Sequence, residues 1–182
     1  MQLSSNKLLL REFTFNDWID VQEYASIPEV SIYQTWGPNS PEQTKAFVEE
    51  TLAASEEQPR RRFALAVVLK ESSKVIGTGE LHVRNAENKN GEISYIINPL
   101  YQGQGIGTEV ALLLLNFGFK ELNLHRIFGT YHPKNIASGK ILKKIGMKYE
   151  GRLRENMLIR DGWRDSDLYS ILEKEWKSDK SS

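Results

Sequence analysis

Glu92-Ile-Ser-Tyr-Ile-Ile97 and the stretch that follows it, Pro99-Leu-Tyr-Gln-Gly-Gln-Gly-Ile-Gly-Thr108, decide the fold of this chain. The first is β-branched and aromatic, which predicts a strand. The second opens a predicted helix from Gly105 to Leu122, because apolar residues recur after it at helical spacing. Glycines let backbone N–H groups approach a ligand, and a helix N-terminus favours an anion. The arrangement predicts a phosphate or pyrophosphate site; a plain connecting turn is the alternative.

The spacing of the glycines narrows the kind of phosphate ligand. A P-loop requires Lys-Ser or Lys-Thr after its last glycine, whereas Gly107 is followed by Thr108 and Glu109. A dinucleotide fingerprint requires a third glycine where Thr108 stands, and an acidic residue at the end of the next strand, which has none. The pattern present is Gln-x-x-Gly-x-Gly, from Gln102 to Gly107. It resembles the acyl-CoA pyrophosphate loop of the GNAT superfamily of N-acetyltransferases.

Composition excludes several classes of function. The chain has 182 residues, with 24 basic and 24 acidic side chains and no cysteine. This length predicts a single domain, residues 1–182, with a frayed tail at 177–182. The balanced charge argues against nucleic-acid binding, and the apolar runs are too short for a membrane span. His82, His125 and His132 lack ligand spacing, so we predict no metal. A cytoplasmic location is expected.

The remaining periodicities predict an α/β fold. We expect strands over 8–13, 63–69, 75–83, 126–131, 149–160 and 163–172. Helices are expected from Asn16 or Asp17 to about Ser26, from a cap at Ser40, and over 136–145. The order β-α-α-β-β-β-α-β-α-β-β implies a mixed sheet, in which the strands beginning at Glu92 and Arg126 are parallel neighbours.

The resemblance extends beyond the loop to nearly the whole chain. Lys7-Leu-Leu-Leu-Arg-Glu12, Asn135-Ile-Ala-Ser138, and Lys144-Ile-Gly-Met147 followed by Glu150-Gly151 look like the RimJ/RimL group, the ribosomal-protein N-terminal acetyltransferases. Met147 departs from the phenylalanine usual in that group. The resemblance implies acetyl-CoA as co-substrate. It also implies a mostly antiparallel, twisted sheet whose central parallel pair splays at the acetyl-CoA site, with helices on both faces.

Carried over by position, the resemblance implies a set of cofactor contacts. Backbone groups of Ile96 and Ile97 would bind the pantetheine arm, and Asn135 would contact it too. Amides of the loop would bind the pyrophosphate, from Gln102, Gly103, Gln104, Gly105, Ile106, Gly107 and Thr108. Lys140, with Lys143 and Lys144, would neutralise the 3′-phosphate, unless these lysines are simply a solvated helix face.

Two residues are candidates for the chemistry. Glu92 stands where many members of the superfamily place a carboxylate base, although an edge carboxylate without a catalytic role is the alternative. The tyrosine that commonly protonates the leaving thiolate is replaced by Leu142. Ser138 is the substitute, unless its hydroxyl merely bonds its own backbone. Glu80 and His132 are weaker candidates for the base.

Tyr33, Trp36, Glu155 and Trp163 are candidates for binding the acceptor, each with a structural alternative in the core, on a solvated face or at a dimer contact. The predicted function is direct acetyl transfer to a primary amine, with the N-terminal α-amino group of a ribosomal protein favoured. Two alternatives stay open. One is acetylation of a small amine such as a polyamine or an aminoglycoside-like drug, and the other is a non-catalytic CoA-binding sensor. A homodimer is expected by analogy.

Overall fold

The computed structural model describes residues 1–178. Eight strands run over Gln2–Ser4 (β1), Leu8–Arg11 (β2), Arg62–Leu69 (β3), Lys74–Asn85 (β4), Asn90–Ile97 (β5), Arg126–Tyr131 (β6), Lys148–Ile159 (β7) and Gly162–Leu172 (β8). The α-helices are Trp18–Ala25 (α1), Pro28–Ser31 (α2), Pro41–Glu56 (α3), Ile106–Lys120 (α4), Ile136–Lys144 (α5) and Glu173–Ser178 (α6). The predicted frayed tail at 177–182 begins within the last two residues of α6 and stays a prediction. The rest of that predicted tail, 179–182, lies outside the described residues.

The strands form one sheet in the order β1-β2-β3-β4-β5-β6-β8-β7. Its strand pairs are antiparallel except β5 and β6, which are parallel neighbours as predicted. The parallel register runs from Asn90 opposite Arg126 only as far as Glu92 opposite Phe128. The remaining residues of β5 and β6 diverge, so the sheet opens at its centre. The mixed α/β architecture is confirmed.

Helices cover both faces of the sheet, which is also confirmed. On one face α4 and α5 bury Val110, Leu114 and Leu142 against the strands. On the other face α1 and α3 enclose a second core around Tyr24 and Val48. Because side chains alternate along a strand, β5 sends Ile93 and Ile97 to the first core and Ile96 to the second.

The helix starts predicted from capping residues agree with the structure in one case and differ in another. Ser40 caps α3 as predicted, in a reciprocal capping box with Gln43. Thr14 caps a short 3-10 turn over Phe15–Asp17, and Asp17 follows at the N-cap position of α1, where its side chain makes no capping bond to that helix. Asp17, one of the predicted caps, accepts hydrogen bonds from the Thr14 N–H and from Arg11. The short elements β1, α2 and α6 are absent from the sequence prediction.

Candidate active site

A cleft opens where the pairing of β5 and β6 ends. Its volume is about 720 Å³. One wall is formed by residues 93–96 of β5 and 129–131 of β6, and the other by α1, α3, α5 and the loop at 33–37. Parallel strands that separate leave backbone donors and acceptors without partners, so this edge is suited to a ligand that can pair with the backbone as an added strand.

The open edge of β5 presents alternate residues to that ligand. The Asn98 N–H donates to the Ile76 carbonyl at 2.9 Å, so Asn98 faces β4. By alternation the backbone of Ile96 also faces β4, and the backbone groups of Tyr95 and Ile97 face the opening. Two consecutive residues of a strand cannot present their backbone groups to the same edge, so Tyr95 rather than Ile96 shares the open edge with Ile97. That the backbone here binds pantetheine stays a prediction.

The glycine-rich loop lies directly beyond β5, and its conformation depends on glycine. Gly103 and Gly105 have φ angles of +76° and +80°, which side chains with a Cβ rarely adopt. Gly105 is the N-cap of α4, and the first bond of that helix runs from the Glu109 N–H to the Gly105 carbonyl. The amides of residues 106–108 therefore point out of the helix end, where an anion is favoured. These donors fit a pyrophosphate.

Contacts join this loop to the cleft. The Gln102 side chain donates to the Ile97 carbonyl at 2.9 Å. A Cβ added at Gly107 would lie 2.9 Å from a methyl carbon of Ile141 and 3.7 Å from the ring of Tyr95. Gly107 thus permits the loop, β5 and α5 to pack closely. Gln104 lies in the turn before α4, and Thr108 lies in the first turn of that helix. The residues predicted to bind the pyrophosphate therefore form one continuous segment.

Asn135 and Ser138 line the cleft at the start of α5. Asn135 is the N-cap, and its Oδ1 accepts a hydrogen bond from the Ser138 N–H at 3.2 Å. Leu142 is buried one turn further along the same helix and brings no hydroxyl to the opening. Lys140 lies on the exposed side of α5.

Tyr95, which the sequence patterns do not single out, places its hydroxyl beside Ser138. That hydroxyl is buried and has no hydrogen-bond partner among the described residues. Burial raises the pKa of Tyr95, and the neighbouring Ser138 hydroxyl opposes the shift to a smaller extent, although the two groups do not meet hydrogen-bond geometry. An unpartnered buried hydroxyl is unfavourable, so this group is positioned to bond a ligand or a water in the cleft.

Both candidate carboxylate bases on the central strands are paired with arginines. Glu92 accepts from Arg84 at 2.7 Å, and its side chain is not part of the cleft wall. Glu80 lines the cleft and pairs with Arg62 at 3.0 Å. Each of these carboxylates is therefore hydrogen-bonded to a guanidinium rather than free at the opening.

His132 also lines the cleft, and its ring stacks on Tyr33 with centroids 4.6 Å apart. Burial lowers the pKa of His132, and the positive charges of Arg164 and Lys134 lower it further. The ring is therefore neutral at pH 7. Its Nδ1 accepts from the Lys134 N–H at 3.1 Å, which places the proton on Nε2. In this tautomer Nε2 is a hydrogen-bond donor and cannot accept a proton from an amine.

The predicted acceptor residues divide into two groups. Tyr33 and Trp36 line the cleft. Glu155 and Trp163 do not: Glu155 is exposed on β7, and Trp163 is 63% exposed beside Leu158 on the outer face of the β7–β8 hairpin. The next residue, Arg164, points to the opposite side and lines the cleft instead. The sequence prediction does not include Arg164, because it places the neighbouring Trp163 on the face of β8 that lines the cleft.

Comparisons with known proteins agree with this geometry. Residues 7–148 match the family model described as "Acetyltransferase (GNAT) domain". The chain belongs to the GNAT acetyltransferase family. It is 38% identical to the uncharacterized N-acetyltransferase YnaD of Bacillus subtilis (strain 168), over 97% of this chain and 99% of that protein. A solved GNAT-family acetyltransferase from Bacillus anthracis superposes with a TM-score of 0.84 at 33% identity, covering 96% and 99% of the two chains.

Relatives with a named acceptor are matched over shorter lengths. The Escherichia coli (strain K12) spermidine N(1)-acetyltransferase is 29% identical over 66% of this chain and 62% of its own. The [ribosomal protein uS5]-alanine N-acetyltransferase of the same strain is 30% identical over 46% and 43%. The GNAT chain is thus an N-acetyltransferase with ribosomal-protein acetyltransferases among its relatives, in a family that uses acetyl-CoA. No helix within residues 1–178 is long and apolar enough to cross a membrane.

Proposed function

We propose that this GNAT enzyme transfers acetyl from acetyl-CoA directly to the α-amino group at the N-terminus of a peptide or protein. In this proposal the amides at 103–108 bind the pyrophosphate, and the open edge at Tyr95 and Ile97 pairs with the pantetheine arm. Asn135 borders that arm, and Lys140 is the candidate partner of the 3′-phosphate. These assignments follow the family resemblance and are supported by the donors that the structure leaves free.

One observation supports an α-amino acceptor in particular. The carboxylates that the central strands carry near the opening, Glu80 and Glu92, are both paired with arginines. An α-amino group has a pKa near 7.8, so about a third of it is free amine at pH 7.5, against about 0.1% of a lysine-like amine with a pKa near 10.4. An α-amine therefore needs little help from a base. Glu92 would act through water at most.

The reaction requires few groups from the protein. The amine nitrogen forms a bond to the thioester carbon while the carbon–sulfur bond breaks, and the nitrogen releases one proton to water. Ser138 hydrogen-bonds the departing thiolate and passes it its hydroxyl proton, while solvent returns a proton to the serine oxygen. No acyl-enzyme is needed, because the cleft is wide enough to admit the donor and the acceptor together.

A small-amine acceptor is the second candidate, since one relative is a spermidine N(1)-acetyltransferase. A ribosomal-protein acceptor, suggested by a partly matched relative, and a homodimer, expected by analogy, stay predictions. The family favours an enzyme over the non-catalytic sensor, the alternative that Leu142 in place of the usual tyrosine raised. Release of free thiol from acetyl-CoA separates these possibilities. We expect release with short peptides that have a free N-terminus and none with the same peptides formylated at that end. Release with spermidine but not with peptides would contradict the proposal, and tight binding without release from any amine would favour the sensor.

Replacing Tyr95 by Phe tests the role of its hydroxyl. The change removes a buried group that has no partner, so the midpoint of thermal unfolding should stay the same or rise slightly. We expect the rate of acetyl transfer to fall about three- to tenfold, because the hydroxyl beside Ser138, which is free to hydrogen-bond a group that approaches it during the reaction, is lost. Single-turnover kinetics and thermal unfolding measure the two effects. A lower midpoint with an unchanged rate would assign the hydroxyl a structural role only.

A further inference from the structure

Arg164 brings a buried positive charge to the wall of the cleft. The residue lies on β8 and is only 8% exposed. Its Nη1 donates to the main-chain carbonyl of Tyr33 at 2.8 Å, which orients the guanidinium. Its Nε is buried and has no hydrogen-bond partner among the described residues.

The absence of a carboxylate beside Arg164 sets it apart from comparable arginines in residues 1–178. The half-buried arginines are each paired: Arg11 with Asp17, Arg60 with Glu12, Arg62 with Glu80, and Arg126 with Glu150. No salt bridge within the described part of the chain reaches Arg164. Burial lowers the pKa of Arg164, and no neighbouring charge compensates for it.

A buried charge is unfavourable unless it is paired and hydrogen-bonded. A guanidinium with free donors is well matched to a carboxylate, which can accept two parallel N–H bonds from it. The structure provides the fixed cation and the space in front of it, and the missing anion must come from outside the described residues. The cleft is where the acceptor enters, so the acceptor is the natural source.

We propose that the acceptor of this enzyme carries a carboxylate in addition to its amine, and that Arg164 binds that carboxylate. The inference rests on the proposed function and specifies its substrate class. The other charges at the cleft fit it. Arg62 and Glu80 neutralise each other, Glu50 is exposed near Arg62, and His132 is neutral. A polyamine would bring further positive charge to Arg164 and leave it unpaired.

Two pairs of acceptors isolate the carboxylate and distinguish its source. The first pair is a short peptide amidated at its C-terminus with Asp at its second position and the same amidated peptide with Asn there. The second pair is a free amino acid and its amide. We expect the wild-type enzyme to acetylate the anionic member of at least one pair with a kcat/KM about tenfold or more above that of the neutral member. A difference in the first pair identifies a peptide acceptor, and a difference only in the second identifies a free amino acid.

Variants then assign the preference to Arg164. Arg164→Gln keeps a donor for the Tyr33 carbonyl but removes the charge, so the anionic-to-neutral ratio should fall to about one through a raised KM. Arg164→Lys keeps the charge and should retain part of the ratio, which provides a second variant if the first folds poorly. Arg154→Gln is the control, because Arg154 is an exposed arginine on the neighbouring strand, lies outside the cleft and takes part in no salt bridge within residues 1–178. Its ratio should equal that of wild type.

Equal kcat/KM values within both acceptor pairs for wild type would overturn the inference while leaving the proposed function intact. The same holds if Arg164→Gln keeps the full preference. No thiol release with any of the four acceptors would instead contradict the proposed function, and the inference with it.

Discussion

Replacing Gly105 by Val should weaken acetyl-CoA binding about tenfold or more without unfolding the protein. Gly105 has a φ of +80°, and nothing lies within 4 Å of a Cβ placed there, so the cost is conformational rather than steric. The left-handed region costs an ordinary residue about 1–2 kcal/mol, and β-branched residues tolerate it less. Without ligand, the loop of the variant would relax to another conformation. Acetyl-CoA binding would then have to restore the left-handed conformation at residue 105. Calorimetric titration with acetyl-CoA measures the loss.

A glycine with similar backbone strain serves as the control. Gly162 has a φ of +122° at the end of the β7–β8 hairpin, and a Cβ added there would also have nothing within 4 Å of it. Gly162→Val should lower the unfolding midpoint and leave the affinity for acetyl-CoA unchanged. Equal affinities for wild type and Gly105→Val would show that the loop amides do not bind the pyrophosphate.

Replacing Ser138 by Ala should slow the chemical step about tenfold to a hundredfold while leaving the affinity for acetyl-CoA within about twofold. General acids contribute up to about 10⁴-fold, but a thiol has a pKa near 8.5 and its thiolate leaves readily, so the effect belongs at the lower end. The Ser138 N–H bond to Asn135 survives this change, because it is made by the main chain. Rapid-quench single-turnover measurements isolate the step from product release.

Ser55→Ala is the matched control for Ser138→Ala. Ser55 is also a half-buried helical serine, and its hydroxyl donates to the Leu52 carbonyl at 2.7 Å, away from the cleft. Its removal should leave the single-turnover rate unchanged. A rate for Ser138→Ala equal to that of wild type would exclude the hydroxyl from the mechanism and leave Ser138 a helix residue with no chemical role.

The features of the fold that can be predicted from the sequence are those set by residues close together in the chain. The Gln102–Gly107 spacing, the apolar repeat after Gly105 and the capping box at Ser40 each depend on residues within a few positions of one another. Their structures follow from local backbone preferences. The edge strand β1 escapes prediction because its pairing with β2 depends on the tertiary structure rather than on a strong local pattern.

The differences between the predicted and the observed lining of the cleft come from choosing which side of a strand a residue faces. Trp163 and Arg164 are neighbours on β8, and a shift of one residue exchanges the face that each occupies. Aromatic character favours Trp163, yet the structure places Arg164 in the cleft. The same ambiguity leads to the choice of Ile96 over Tyr95. Whether the Glu92 carboxylate is free at the cleft cannot be predicted from the sequence either, because the hairpin register of β4 and β5 brings its partner Arg84 close.

The central claim is that the loop at 103–108 and the open edge of β5 together bind CoA. A titration of ¹⁵N-labelled protein with CoA, followed by amide chemical shifts, tests it most directly. We predict that the largest changes occur at the amides of residues 103–108 and of Tyr95 and Ile97, while the hairpin amides of 158–163 stay unchanged. Saturable binding whose shifts fall elsewhere, with the loop amides unmoved, would contradict it.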